Sequence, residues 1–424
     1  MHRILTIFGT RPEAIKLAPV IKRLESCSDL SSEVCVTAQH RQMLDQVLDI
    51  FGIEPDYDLD IMRPNQDLFD VTAMALSKLK SVIEQSRPNL VLVQGDTTTT
   101  LVASLAAFYL KVPVAHIEAG LRTYDKYSPF PEEVNRRVAT IIADLNFAPT
   151  RWAKANLLRE GVSKDKIFVT GNTVIDALYH VLNIIKSAKV RDSLEAKFNF
   201  LRTGRKIVLI TGHRRESFGE GFRNICKAIR KLAETLPAYD FVYPVHLNPN
   251  VRSPVEDILG KNRLHNLHLT EPVEYVSFAY LMKESYLILT DSGGIQEEAI
   301  TLGKPVLIMR NTTERPEGIE AGAVKLVGNK QGNIFSKCNE LLTNESEYSK
   351  MVNKENPYGD GKAAERIIDI LRQRMPLVKK YESSTHITVY PTVSDGDGRH
   401  AKQPRIGTQT CGEPAKSISH AQPT

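Results

Sequence analysis

Short apolar runs in this chain end repeatedly in residues that can move protons or hold an anion. The run 89–94 gives way to Gly95-Asp96-Thr97-Thr98-Thr99, and 113–117 to Glu118-Ala119-Gly120-Leu121-Arg122. The run 205–211 ends in Gly212-His213-Arg214-Arg215-Glu216, and 239–245 in His246-Leu247-Asn248-Pro249. Read as strands, these runs bring carboxylates from one half and imidazoles from the other to strand ends, where acid–base groups line a cleft. Each has a plainer alternative. Asp96, with Thr97, suits a helix cap. Glu118 can form a rim ion pair with Arg122. Glu132 follows Ser128-Pro129-Phe130-Pro131 and precedes Glu133, which on the residues alone reads as ordinary helix-start chemistry. His213 lies in a cationic loop; its strand-end position favours phosphate contact and proton transfer near neutral pH. His246 suits local backbone bonding equally well.

Two glycine-containing turns supply the anion-binding features. Ile4–Phe8 leads through Gly9-Thr10-Arg11-Pro12 into a helix carrying Glu13 and Lys16, and Tyr286–Thr290 leads through Asp291-Ser292-Gly293-Gly294 into one carrying Glu297 and Glu298. Unpaired N–H groups and a partial positive charge make a helix start attractive to phosphate. A cation such as Lys16 is unfavourable against that dipole unless an anion offsets it. Glu298, one turn into the second helix, can accept both hydroxyls of a ribose. Arg315, in Thr313-Glu314-Arg315-Pro316-Glu317, can instead pair with Glu314 or Glu317. His40-Arg41-Gln42 follow strand 33–37 and are also cleft candidates. Together the turns predict a diphosphate held between two domains.

The elements that must position these residues alternate as βαβα. Strands are predicted at 3–8, 33–37, 89–94, 113–117, 144–148 and 166–170, then at 205–211, 239–245, 266–270, 285–290, 304–309 and 323–327. Helices fill the gaps, as at 67–85, 101–109 and 222–236. This pattern predicts an α/β protein of two Rossmann-like, doubly wound domains with parallel sheets covered on both faces. The pattern pauses at about 186–204, so the junction falls near 171–204 with a helix crossing it. The expected division is 1–171, then 172–359, a helix over 360–374, and a flexible Ser-, Thr-, Gly- and Pro-rich tail from 376 to 424, with a docked strand at 386–390 as an alternative. A net charge of +5 over 424 residues argues against nucleic acid as partner. The five cysteines lack a C-x-x-C pair and read as reduced thiols. No run approaches the ~18 apolar residues of a membrane span, and the start reads as no signal peptide. Neither G-x-x-x-x-G-K-[ST] nor G-x-G-x-x-G follows the first strand, and metal-ligand spacing is absent, so no metal and no nicotinamide cofactor are expected.

These segments together resemble the non-hydrolysing UDP-N-acetylglucosamine 2-epimerase family. The likeness is carried by Phe8-Gly9-Thr10-Arg11-Pro12-Glu13-Ala14-Ile15-Lys16, Gln39-His40-Arg41-Gln42-Met43-Leu44, Gly95-Asp96-Thr97-Thr98-Thr99 and His116-Ile117-Glu118-Ala119-Gly120-Leu121-Arg122. It continues through Phe130-Pro131-Glu132-Glu133, His213-Arg214-Arg215-Glu216, Tyr243-Pro244-Val245-His246-Leu247-Asn248-Pro249, the segment from Asp291 to Glu298, and Thr313–Glu317. The resemblance implies a glycosyltransferase-B type fold, usually a homodimer, with the last helix returning to the first domain. It implies cofactor-free interconversion of UDP-GlcNAc and UDP-ManNAc in the cytoplasm for surface polysaccharide synthesis. It implies a catalytic set of Asp96, Glu118, Glu132 and His213, and a nucleotide-binding set of Arg11, Lys16, Phe278, Ser292, Gly293, Gly294, Glu298 and Arg315. Gln39, Gln42, Arg214 and His246 match a second, activating UDP-GlcNAc site. The chain departs from some relatives at Val273, where they carry Gln, and at Arg63-Pro64-Asn65-Gln66, where they carry Arg near 65. The implied chemistry is elimination of UDP to a glycal and re-addition with a proton delivered to the opposite face. Rival readings are a glycosyltransferase of the same fold, a hydrolysing epimerase and a UDP-sugar-binding regulator.

Overall fold

The computed structural model of the chain describes residues 1–375 except 39, 40, 64, 262 and 263; the side chains at 41–43, 202, 203 and 215 are also outside the described residues. The tail expected over 376–424, the alternative strand at 386–390, Gln39 and the Gln42 side chain therefore lie outside the described residues.

Near-continuous apolar runs form strands buried on both faces. The first sheet has β1 (His2–Phe8), β2 (Leu30–Val36), β3 (Tyr57–Asp58), β4 (Leu90–Gln94), β5 (Val114–Ile117), β6 (Leu145–Ala148) and β7 (Ile167–Val169). Its order is β3-β2-β1-β4-β5-β6-β7. The second has β8 (Lys206–Thr211), β9 (Tyr239–Pro244), β10 (Leu267–Thr270), β11 (Leu287–Thr290), β12 (Val306–Ile308) and β13 (Val324–Leu326). Its order is β10-β9-β8-β11-β12-β13. All pairings are parallel, with Ile4 opposite Leu90 and Val208 opposite Leu287 at the two central seams. In each sheet the order reverses between a first strand and a later neighbour, β1 and β4 or β8 and β11, which opens a crevice at their carboxyl ends.

Every expected strand forms, shifted by at most a few residues. The two-residue β3 was missed because Tyr57-Asp58 has no run long enough to show a period. The pause at 186–204 is filled by the helix Ala188–Lys197, with little buried face beyond Leu194 to give a periodic signal. The helix expected from 101 begins at Thr98, because the Thr97 hydroxyl accepts from the Thr100 N–H at 3.1 Å. The last helix spans Ala363–Arg374 rather than 360–374, its first N–H groups donating to the Asp176 carboxylate.

The helix Thr173–Ile185 packs against Arg11–Glu25 and Ala363–Arg374, and also against Tyr275–Glu284 and Gly293–Thr301. Its Val174, Leu178 and Val181 belong to one apolar cluster with Ile21, Ile367, Leu281 and Ile300. Burying each such side chain stabilises the fold by about 1.5–3 kcal/mol. The helices that begin at the two glycine-containing turns are thus anchored to one shared support.

Candidate active site

The two turns differ at the backbone. At the first, the Glu13 carboxylate accepts from Gly9 N at 3.1 Å and Thr10 N at 2.8 Å, closing a capping box. It also accepts from the Thr97 hydroxyl at 2.6 Å, tying the β1 turn to the β4 turn. The anion at this helix start is therefore the protein's own. Gly9 is required by packing, since a Cβ there would lie 2.1 Å from Thr37 Oγ1. At the second turn Ser292 caps the helix Gly293–Thr301 without a side-chain hydrogen bond, and a Cβ on Gly294 would meet nothing within 4 Å. This start is open to a ligand. Gly293 is the tight position: a Cβ would lie 2.5 Å from Arg315 Nη1 and 2.6 Å from Glu314 Oε1.

Arg11 lies in the field of Glu298, Tyr275 and Glu274, and burial lowers its pKa. It also acts electrostatically on His213 and His246. A cation from the first turn thus stands beside groups of the second sheet. Glu298 accepts from the Tyr275 hydroxyl at 2.7 Å. Burial pushes its carboxyl up to about 7, against the pull of Tyr275, Lys16 and Arg11. Phe278 packs, partly buried, against the shared core.

Glu118 follows β5 with left-handed backbone, φ 64°, a conformation that costs of order 1–3 kcal/mol. Its carboxylate meets Lys16 Nζ at 2.6 Å through both oxygens, Gln94 Nε2 at 2.5 Å, Asn172 Nδ2 at 2.9 Å and Arg315 Nη2 at 3.3 Å. Burial opposes the charge, but Lys16 and Arg315 outweigh it and hold the group down at about 2. The rim pair with Arg122 does not form; Arg122 pairs with Glu160 at 2.7 Å. Lys16 has its anion, and that anion is Glu118. Arg315 also bonds Glu297 and Glu314, so it sits amid carboxylates rather than open to solvent. Burial pushes Glu297 up to about 7, Arg315 opposing and Glu118 adding to the rise. Arg310 continues the network to Glu216 at 2.5 Å and Glu314 at 3.0 Å.

Asp96 is not the helix cap; Thr97 is. Its carboxylate meets Arg136 Nη2 at 3.1 Å, and its backbone carbonyl accepts from Asn135 Nδ2 at 3.0 Å. Glu132 opens the helix Glu132–Ile142. Burial raises its pKa, and the nearby Asp96 raises it further against Arg214 and Arg136. From the second sheet, His213 and Arg214 each donate a backbone N–H to the buried Asp291 carboxylate, at 2.7 and 2.8 Å. The His213 and His246 rings stack at 5.3 Å. More than a third of the His213 side chain reaches solvent, yet the surrounding protein lowers its pKa, Asp291 opposing. His246 Nδ1 accepts from Asn248 N at 3.1 Å, the local backbone bond that was one of its two readings.

The structure thus gathers Asp96, Glu132 and Arg214 in one region and places Arg11 within electrostatic reach of Glu298, His213 and His246, with Glu118–Arg315 joining the two halves directly. The sequence reading missed Glu13, Gln94, Arg136, Asn172, Tyr275, Asp291 and Arg310 as site residues. Arg136 had a signal, since it stands one helical turn after Glu132; Gln94, Asn172 and Arg310 had none, because only the fold brings them near.

Two doubly wound parallel sheets meeting at their strand ends define an α/β protein of the glycosyltransferase-B type. Comparison with known proteins narrows this. A model of the UDP-N-acetylglucosamine 2-epimerase family matches residues 22–372, and the chain belongs to that family. It is 54% identical over 369 residues to the UDP-N-acetylglucosamine 2-epimerase of Neisseria meningitidis serogroup A, covering 87% of this chain and 99% of that protein. A crystal structure of the UDP-GlcNAc 2-epimerase from Neisseria meningitidis, bound to UDP-GlcNAc, superposes with a TM-score of 0.85 at 54% identity, covering 88% of this chain and all of that one. The Methanocaldococcus jannaschii UDP-GlcNAc 2-epimerase, in complex with UDP-GlcNAc and UDP, gives a TM-score of 0.76 at 36% identity, covering 88% and 99%.

Proposed function

We infer that this chain interconverts UDP-GlcNAc and UDP-ManNAc at sugar carbon 2, as a non-hydrolysing epimerase. The observation that carries the reading is the uncapped helix start at Ser292–Gly294, on a helix whose Glu298 lies in the field of Arg11 from the first turn, with Asp96 and Glu132 close to each other. The helix start and Arg11 hold the diphosphate, and Glu298 holds the ribose. Departure of UDP from carbon 1 builds positive charge beside carbon 2, and its hydrogen becomes acidic. Asp96 and Glu132 serve the two sugar faces as base and acid. His213, with a lowered pKa, donates through a neutral ring to the leaving diphosphate. Glu118 holds Lys16 and Arg315 in place. Gly293 and Phe278 shape the nucleotide pocket.

The division at 171/172 and the assignment of the last helix to the first domain belong to this proposal. So do a homodimeric, cytoplasmic enzyme that supplies surface polysaccharide synthesis, and a second UDP-GlcNAc bound by Gln39, Gln42, Arg214 and His246. Among the described residues no helix is long and apolar enough to cross a membrane.

The test is incubation with UDP-GlcNAc in D2O, followed by NMR. Deuterium at carbon 2 with UDP-ManNAc appearing is the expected result. Free ManNAc would mean hydrolysis, and an unchanged substrate would end the proposal.

A further inference from the structure

The helix Glu132–Ile142 carries one buried cation whose contacts are divided unequally between the paired carboxylates. The Arg136 side chain is 4% exposed. Its Nη2 lies 3.1 Å from Asp96 Oδ2 and its Nε lies 3.6 Å from Glu133 Oε2. Towards Glu132 it offers only an Nε–H to the backbone carbonyl, at 3.3 Å. Glu132 Oε2 is buried without a hydrogen-bond partner. An ionised oxygen so placed is costly, whereas a protonated carboxyl is tolerated.

We propose that Arg136 is a positioning residue that keeps Asp96 as the ionised member of the Asp96–Glu132 pair and leaves Glu132 as the proton-bearing one. This rests on the epimerase reading above. In one direction of turnover the Asp96 carboxylate accepts the carbon-2 proton. The electron pair of that C–H bond forms the carbon-1–carbon-2 double bond, and the carbon-1–oxygen pair leaves with UDP. Glu132 then gives its proton to the opposite face of carbon 2 while a diphosphate oxygen re-forms the bond to carbon 1. Asp96, 29% exposed in its side chain, passes the gained proton through solvent back to Glu132, because Arg136 favours the charged Asp96. The reverse reaction exchanges the roles.

Besides Asp96 and Glu132, Arg136 is faced by Glu133 on its own helix and by Glu314 from the loop after β12. Asp96 is faced by Arg136 and Glu132 from this helix and by His116 from β5. Burial holds His116 down at about 4, so it is neutral. Glu132 is faced by Asp96, Arg136 and Arg214.

The experiment is the pH profile of kcat for the unmodified enzyme, Arg136→Gln and Arg136→Lys, with KM recorded throughout. Arg136→Gln is expected to move the acid limb up by about one pH unit or more, to lower kcat at neutral pH at least about tenfold, and to leave KM within about threefold. Arg136→Lys is expected to return the limb towards its original position. An unmoved acid limb in Arg136→Gln, with kcat reduced equally at every pH, would overturn the proposal. Carboxyl-carbon NMR titration of the unmodified enzyme tests the same point whether or not the Gln variant folds: Glu132 should keep its proton to a higher pH than an ordinary glutamate, and a Glu132 that loses it in or below the ordinary range also overturns the proposal. Failure of the epimerase reading is distinct, because the unmodified enzyme would then form no UDP-ManNAc.

Discussion

Glu298→Gln tests the ribose site and its electrostatics together. The carboxyl is buried, bonded to Tyr275 and raised from 4.5 to about 7. A folded-state pKa above the unfolded value means the native protein binds the extra proton between those values. Stability therefore falls as pH rises from about 4.5 to about 7 and is level above. At about 1.4 kcal/mol per pH unit the loss is about 3 kcal/mol. Gln keeps an acceptor for Tyr275 and removes the charge. Thermal unfolding at pH 5 and pH 8 should show a smaller loss in the variant by about that amount, with the variant the more stable protein at pH 8. The ligand reverses the balance. Ribose hydroxyls donating to Glu298 favour the carboxylate, so near pH 7 UDP binding should expel about half a proton from this group. Calorimetry in two buffers of different ionisation enthalpy reads that proton as the difference between unmodified protein and variant. UDP affinity should also fall in the variant. If both proteins bind UDP equally well with the same buffer dependence, Glu298 does not hold the ribose and the reasoning fails.

Three further outcomes are expected. Asp96→Asn should abolish epimerisation while UDP affinity stays within about twofold, and turnover retained within a few-fold would remove Asp96 as an essential proton carrier. Gly293→Ala should cost about 1–3 kcal/mol in unfolding experiments, because its Cβ would collide with Arg315 and Glu314, whereas Gly294→Ala should leave stability nearly unchanged and weaken UDP binding. Equal behaviour of the two variants would contradict the open helix start. Glu118 titrates at about 2 instead of 4.5, so its stabilisation is complete above about 4.5 and is lost as pH falls towards 2. Glu118→Gln should lower stability at pH 7 by about 3 kcal/mol, because it takes the carboxylate from the buried Lys16 and removes one of the three carboxylates around Arg315, and should flatten this acid-side loss in a pH series of melting temperatures.

The alternation of strands and helices, and with it the parallel sheets and their chemically furnished strand ends, is legible in the order of the residues. Apolar runs buried on both faces leave a composition signal that needs no tertiary context. Asp96, Glu118, His213 and His246 were legible for the same reason: a polar residue ending such a run must stand at a sheet rim. Packing decided what the local pattern left open. Glu13 fills the first turn's N–H groups through the local Thr10-x-x-Glu13 pattern, which the second turn lacks because Ile295 stands three residues after Ser292; only the fold adds Thr97 and Thr100 from beyond β4 as further partners of Glu13. Lys16 and Arg315 are consumed by Glu118 although 102 and 197 residues separate them from it. Arg136 chooses Asp96 over its own helix neighbour Glu132 because β4 delivers that carboxylate to its guanidinium. Charge on a buried group is set by whichever partners the fold places within a few ångströms, and such distances are not written along the chain.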